Sequence, residues 1–280
     1  MESLKIKNLC KKYEKFSLKN VSFSVQSGEI RGFIGRNGAG KTTTLKSILN
    51  LVHPDSGEIS FFGQTFAGNE KEIKQRIGYA VGGTSYYQNK AIKDIVKITK
   101  MFYKNWSDEQ YNHYLSVFSL DENKKLSELS EGMKVKFHLA VALSHGAELL
   151  ILDEPTSGLD PVSREELLEI FLSLAEKGVA ILFSTHITSD LEKCADSITY
   201  IKSGEIIATD DIKSFTDNYR LVEINEKTKK SDNDCYLGMC KTKDGATALI
   251  YAKDADKFDK KLIGKPTLET IMVHLEKEEI

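Results

Sequence analysis

No long hydrophobic run occurs anywhere in this chain of 280 residues. The longest apolar stretches lie near Leu149–Leu152 and Val179–Phe183. Both are far shorter than the roughly 20 residues that a membrane-spanning helix requires. If the protein acts on a membrane, another chain must supply the membrane part. The opening residues, Met1 to Lys5, do not read as a signal peptide. Cysteine is scarce. Cys10, Cys194, Cys235 and Cys240 form no C-x-x-C pair and have no histidine nearby at zinc spacing. That argues against a disulfide scaffold or a zinc module and predicts reduced thiols in a cytosolic protein. An excess of charge is also missing: 39 basic against 41 acidic residues leave a net charge of -2. There is thus no electrostatic case for nucleic acid as the main partner. No internal repeat or low-complexity tract is visible. What remains is an ordinary globular composition, 40% hydrophobic and 29% charged, long enough for one large domain or one domain with a small appendage.

The chain is organised around Gly35-Arg36-Asn37-Gly38-Ala39-Gly40-Lys41-Thr42, a G-x-x-x-x-G-K-T run. It follows a strand-like stretch, Ile30 to Ile34, and precedes the helix-like Thr43-Thr44-Leu45-Lys46-Ser47-Ile48-Leu49. Strand, glycine loop and helix start make a phosphate-binding P-loop. The glycines let the backbone turn and present N–H groups inward. The helix start adds unpaired donors and the positive end of its dipole. Lys41 is placed to reach the β- and γ-phosphates of a nucleoside triphosphate, and the Thr42 hydroxyl to bind Mg²⁺.

The surrounding pattern is mixed. Residues 4–9 and 21–25 alternate as strands, another strand is expected over Glu58–Phe62, and Arg76–Val81 reads as a strand end. Residues 91–128 turn helical, with an apolar stripe of Ile92, Ile95, Val96, Thr99 and Phe102. A second helix follows, capped by Ser107-Asp108-Glu109 and carrying Tyr111, Tyr114, Leu115 and Phe118. That aromatic stripe reads as core. Ser130 to His145 reads as a helix, Leu149–Leu152 and Val179–Phe183 as buried parallel strands, and Asp160-Pro161 as the start of a helix through Ala175. Strand and helix alternate, so an α/β fold with a parallel sheet is expected. From about Tyr219 the pattern weakens. Strands at 220–225 and 246–252, helices at 254–261 and 267–277, and a charged turn at 226–234 are expected there.

Further chemistry lies downstream. Leu149 to Leu152 lead into Asp153 and Glu154. An acid at the C-terminal end of a core strand stands where α/β sheets bind ligands. Asp153 is expected in the Mg²⁺ shell, and Glu154 is the best candidate to orient or deprotonate an attacking water. Ser130 and Gly132, at a helix start, make a second anion site, which can serve a nucleotide held by another subunit. His186 follows the next strand end, either near the γ-phosphate or as a structural residue. Tyr13 reads as an adenine-stacking ring or as a packed turn residue.

As a set, these residues resemble the ATP-binding subunits of ABC transporters, over about residues 2–217. Walker A is Gly35 to Thr42, with Thr43 beside it, and Walker B ends at Asp153 with the catalytic Glu154. The signature is Leu129-Ser130-Glu131-Gly132-Met133, and the D-loop is Ser157-Gly158-Leu159-Asp160. The switch histidine is His186 and the A-loop aromatic is Tyr13. The stretch from Ser127 to Asp190, with Pro266-Thr267-Leu268-Glu269, is similar to the YtrB-type ATPases of small bacterial exporters. Two departures stand out. Glu131 and Met133 replace Gly and Gln in the usual signature, which puts a negative charge near a phosphate. Gly82 stands where the family has a Mg²⁺-linked glutamine, with Gln88 six residues on as a substitute.

The resemblance implies a P-loop NTPase fold with a RecA-like parallel core, an antiparallel β subdomain and a helical subdomain at about 85–145. The cassette would span 1–217, followed by a small α+β extension at 218–280. It implies ATP and Mg²⁺ as ligands, a homodimer or heterodimer of cassettes, and a membrane-spanning permease as a separate chain. The protein would lie in the cytoplasm, peripheral on the inner face of the cell membrane. In the implied mechanism each P-loop faces the other copy's Ser130 and Gly132, with Asp160 alongside. Glu154 activates water while Lys41 and His186 stabilise the transferring phosphoryl group. The alternative is a soluble regulatory ATPase built on the same cassette. Translation-type members carry two cassettes in one chain, and DNA-maintenance members carry long heptad helices; neither feature occurs in this sequence.

Overall fold

In the computed structural model, residues 1–81, 87–224, 235–243 and 245–277 are described. The alternating N-terminal segments form an antiparallel sheet. β1 (Glu2–Lys12) pairs with β2 (Ser17–Gln26), setting Ile6 opposite Phe23. On its other side β1 pairs with β4 (Ser56–Phe61), which is followed by β5 (Gln64–Thr65). Every second residue points inward, so Leu4, Ile6, Val21, Val25 and Phe61 are buried.

A second sheet carries the chemistry. Its order is β10-β9-β3-β8-β7-β6. The strands are β3 (Ile30–Ile34), β6 (Ile77–Val81), β7 (Leu149–Asp153), β8 (Ala180–Thr185), β9 (Ser197–Lys202) and β10 (Glu205–Asp211). The pairings of β6 with β7, β7 with β8, β8 with β3 and β3 with β9 are all parallel. Every residue of β7 and β8 is buried. Covering on both faces is why these strands read as unbroken apolar runs. In β6 a Cβ on Gly78 would stand 2.5 Å from the Cβ of Ala142, so the close approach of a helix there requires glycine.

Helices α1 (Lys41–Ile48), α2 (Glu70–Gln75), α6 (Pro161–Glu176) and α7 (Thr188–Cys194) alternate with these strands. Between β6 and β7 lies a helical segment: α3 (Ile92–Thr99), α4 (Asp108–Val117) and α5 (Glu131–Ser144). Ser107 caps α4 by accepting from the Gln110 N–H at 3.1 Å. Ile92, Val96, Tyr111 and Phe118 are buried, but Phe102 is 71% exposed. The reason is a 3₁₀ turn over Lys100–Phe102. At three residues per turn it carries Phe102 out of phase with the α-helical stripe.

By contacts the chain forms two compact units, Met1–Ile187 with Lys193–Thr209, and Thr188–Glu192 with Asp210–Ile280. In the second unit α8 (Ile212–Asp217) leads into β11 (Tyr219–Ile224), β12 (Gly238–Thr242), β13 (Gly245–Tyr251), β14 (Ile263–Gly264) and α9 (Leu268–Glu276). The antiparallel sheet runs β12-β13-β11-β14. Val222, Ile224, Tyr236, Ala248, Ile250 and Phe258 form its core. Two short strands, β12 and β14, go beyond the sequence expectation. The helix expected at 254–261 is replaced by 3₁₀ turns over Ala252–Lys257 and Lys260–Leu262. Phe258 adopts an extended backbone (φ -119°, ψ 156°), and the Asp259 carboxylate accepts from the Lys261 N–H, which restarts the turn. The charged turn expected at 226–234 lies outside the described residues.

Candidate active site

The loop from Gly35 to Gly40 joins the buried end of β3 to the first turn of α1. Gly35 has no room for a side chain, since a Cβ there would lie 2.3 Å from the Ile201 carbonyl oxygen. Gly40 combines φ 114° with a Cβ position 2.7 Å from the Phe16 ring. Both conditions exclude an L side chain. No side chain caps α1 and no acid stands in its first turn. Its leading N–H groups are left for an anion. Arg36, Asn37 and Gly38 form the exposed crest of the loop, whereas Ala39 is buried. Thr42 is exposed and Thr43 half-buried on the first turn of α1.

Lys41 is 5% exposed, yet its ammonium has partners. Nζ donates to the Gly35 carbonyl at 2.8 Å and the Arg36 carbonyl at 3.4 Å, and stands 3.2 Å from Glu154 Oε1. A buried lysine needs such partners to stay charged.

The facing carboxylates arrive on β7. Asp153, at its last position, is buried and lies opposite Ser184 of β8. The Ser184 hydroxyl donates to Asp153 Oδ1 at 2.5 Å and accepts from the Glu154 N–H at 3.0 Å. The same N–H also reaches the Ser184 carbonyl at 3.1 Å. Glu154 itself has φ 52°. A left-handed, non-glycine backbone costs about 1–2 kcal/mol and is held here by those bonds. Its carboxylate ends between two cations or donors: Oε1 faces Lys41, and Oε2 lies 2.8 Å from His186 Nδ1. Because β3, β8 and β7 are neighbours in register, the P-loop, His186 and Glu154 converge at the C-terminal ends of parallel strands.

A second cluster gathers Ser130, Gly132 and Asp160. Ser130, exposed, caps α5 by accepting from the Met133 N–H at 3.2 Å. Gly132 is buried, and a Cβ there would come within 3.3 Å of Leu159 Cδ2. The next residue, Asp160, caps α6, accepting from the N–H groups of Val162 at 3.0 Å and Ser163 at 3.1 Å. Hydrogen bonds from Ser163 hold its carboxyl below the usual range. None of the P-loop contacts above involves Ser130, Gly132 or Asp160, and Ser130 is exposed.

Tyr13, 44% exposed, lines an open cavity of about 470 Å³ together with Phe16 and the P-loop residue Gly38. Lys11 Nζ stands 5.8 Å from its ring centroid. Gly82, where the usual glutamine is missing, lies outside the described residues. Gln88 is exposed, and its carbonyl accepts from the Ser127 N–H at 2.9 Å. Sequence reasoning missed Ser184. The available signal was a hydroxyl closing an apolar strand beside the one that ends in Asp153.

Among the described residues no group of three or more His, Cys, Asp or Glu is gathered as a metal site. Thr42 and Asp153 offer hard oxygen donors that fit Mg²⁺, which commonly completes its shell with phosphate oxygens and water. No described helix is long and apolar enough to cross a membrane.

The sequence matches the family model for the ABC transporter over residues 18–157. It is 38% identical over 237 residues to the bacitracin transport ATP-binding protein BcrA of Bacillus licheniformis, covering 81% of this chain and 76% of that protein. It is 31% identical over 208 residues to the ABC transporter ATP-binding protein YtrB of Bacillus subtilis (strain 168), covering 74% of this chain and 71% of that one. A solved ATP-binding subunit of an ABC transporter superposes with a TM-score of 0.68 at 31% identity, over 75% of this chain and 90% of its own. The chain therefore belongs to the ABC transporter family, as one of its ATP-binding cassette ATPases.

Proposed function

We propose that this protein powers a bacterial exporter by binding and hydrolysing ATP between two cassettes, with a separate membrane-spanning permease carrying the cargo. The observation that supports this best is the contact chain from Lys41 through Glu154 to His186 at the mouth of the P-loop. The family gives the ATPase activity and its link to transport. The resemblance to YtrB-type exporters supports the outward direction.

In this reading the triphosphate lies along Gly35 to Thr43, its negative charge met by backbone N–H groups and by Lys41. Tyr13 stacks on the adenine, in the hollow it shares with Gly38. Thr42 and Asp153 would hold Mg²⁺, which when bound would neutralise negative charge on the triphosphate. Phosphate arriving at Lys41 displaces the Glu154 carboxylate from it. Glu154 then accepts a proton from water, whose oxygen attacks the γ-phosphorus as the bond to the bridging oxygen breaks and ADP leaves. His186 orients Glu154 and faces the transferring group. Ser130 and Gly132 of a second copy complete the phosphate shell, with Asp160 alongside. Cleavage removes that bridge, and the dimer opens. The protein works in the cytoplasm, on the inner face of the membrane, through its permease.

The test is Glu154→Gln. It is expected to bind ATP and to lose turnover. A variant that still hydrolyses at near the parent rate would remove Glu154 from this role.

A further inference from the structure

The start of α5 carries a charge conflict with its proposed task, and the structure contains a resolution. The inference rests on the reading above, in which Ser130 and Gly132 receive the phosphate of a nucleotide bound by another copy. Ser130 caps α5, and the first-turn N–H groups suit an anion. Glu131, however, stands in that same turn. A carboxylate beside an arriving phosphate repels it, and the repulsion grows as the interface closes and water leaves.

Lys134 meets this carboxylate. Its Nζ lies 2.6 Å from Glu131 Oε1, with the lysine side chain 19% exposed and the glutamate 51% exposed. The partner three residues on lies toward the C-terminal end of the helix. The pair therefore draws the Glu131 carboxylate along the helix, away from the free N–H groups. The neighbouring cation, Lys136, is engaged with Glu166 at 2.5 Å, so the local compensation of Glu131 falls to Lys134.

We infer that Lys134 is a positioning residue for the ATP-bound dimer: it cancels the Glu131 charge and holds that carboxylate clear of the phosphate received by Ser130 and Gly132. An altered signature is thereby made compatible with a polyanion.

The test uses the full chain in the Glu154→Gln background, which holds ATP uncleaved. Dimer formation is followed by analytical ultracentrifugation against ATP concentration with Mg²⁺. Lys134→Ala is expected to raise the ATP needed for half-maximal dimerisation by about tenfold at low ionic strength, and by less in high salt. Lys134→Arg should behave like the parent. Adding Glu131→Gln to Lys134→Ala should restore the parent value, a rescue that a purely structural role for Lys134 would not give. A Lys134→Ala chain that dimerises like its parent, or a loss that Glu131→Gln does not reverse, overturns the inference alone. A parent that stays monomeric at saturating ATP overturns the two-copy reading, and the inference falls with it.

Discussion

Ser184→Ala separates the site's geometry from its chemistry. The hydroxyl is fully buried and serves both carboxylate residues at once. Its bond to Asp153 is to a charged acceptor, a class that contributes about 1.5–3 kcal/mol. The Glu154 N–H keeps the Ser184 carbonyl at 3.1 Å as a partner after the change, so that loss is partial. The sum is about 2–3 kcal/mol, measured without Mg²⁺ so that no cation substitutes for the lost donor. For a chain of this size that lowers the melting temperature by roughly 4–12 °C. The same change loosens the left-handed backbone at Glu154, which sets its carboxylate against Lys41 and His186. Turnover should fall by at least about tenfold, whereas ATP binding, which the proposed function assigns to the P-loop, should change little. Thermal unfolding and steady-state ATPase assays read the two effects. Ser184→Thr, which keeps the hydroxyl, tests whether the group itself matters. A Ser184→Ala protein that melts with its parent and turns over normally would refute the claim that this hydroxyl organises the two acids.

Two further perturbations probe other parts of the frame. Gly35→Ala places a methyl group against the Ile201 carbonyl and should cost about 1–3 kcal/mol through overpacking while abolishing ATP binding; a titration showing parent affinity would be inconsistent with this packing. His145 is buried, stacks on Tyr103 at a centroid distance of 3.8 Å and bonds to the Gln75 carbonyl at 3.0 Å through Nδ1. Burial holds its imidazole below the ordinary histidine range, and burial does the same to His138. The folded state thus keeps these rings neutral where the unfolded chain already protonates, below pH about 6.5. The unfolded state binds more protons there, so their contribution is full above that pH and falls as pH drops toward the folded values. Denaturation midpoints at pH 5 and 7.5 should show a smaller acid loss for His145→Gln than for the parent; equal losses would exclude His145 from the effect.

Much of the site was legible because its chemistry is local. A glycine loop between a strand and a helix, a serine opening α5 and Asp160 before a proline each occupy at most eight consecutive residues. Their neighbours in sequence are their neighbours in space. The double-sided burial of β7 and β8 was legible for the same reason, since unbroken apolar runs record it directly. The family resemblance, carried by the order of those motifs, followed from that.

What sequence by itself determined, then, is the set of local devices: where phosphate can be cradled, where helices begin and which strands are covered on both faces. Tertiary structure alone decided how those devices meet. The register of β7 against β8 pairs Asp153 with Ser184 across 31 positions, and the order β3-β8-β7 brings Lys41 to Glu154. It also added β12 and β14 to the second unit. Caps, glycine turns and periodicity are set by steric and hydrogen-bonding preferences over a few residues. Strand order and register are set by packing among segments far apart in the chain, which no short window of sequence contains.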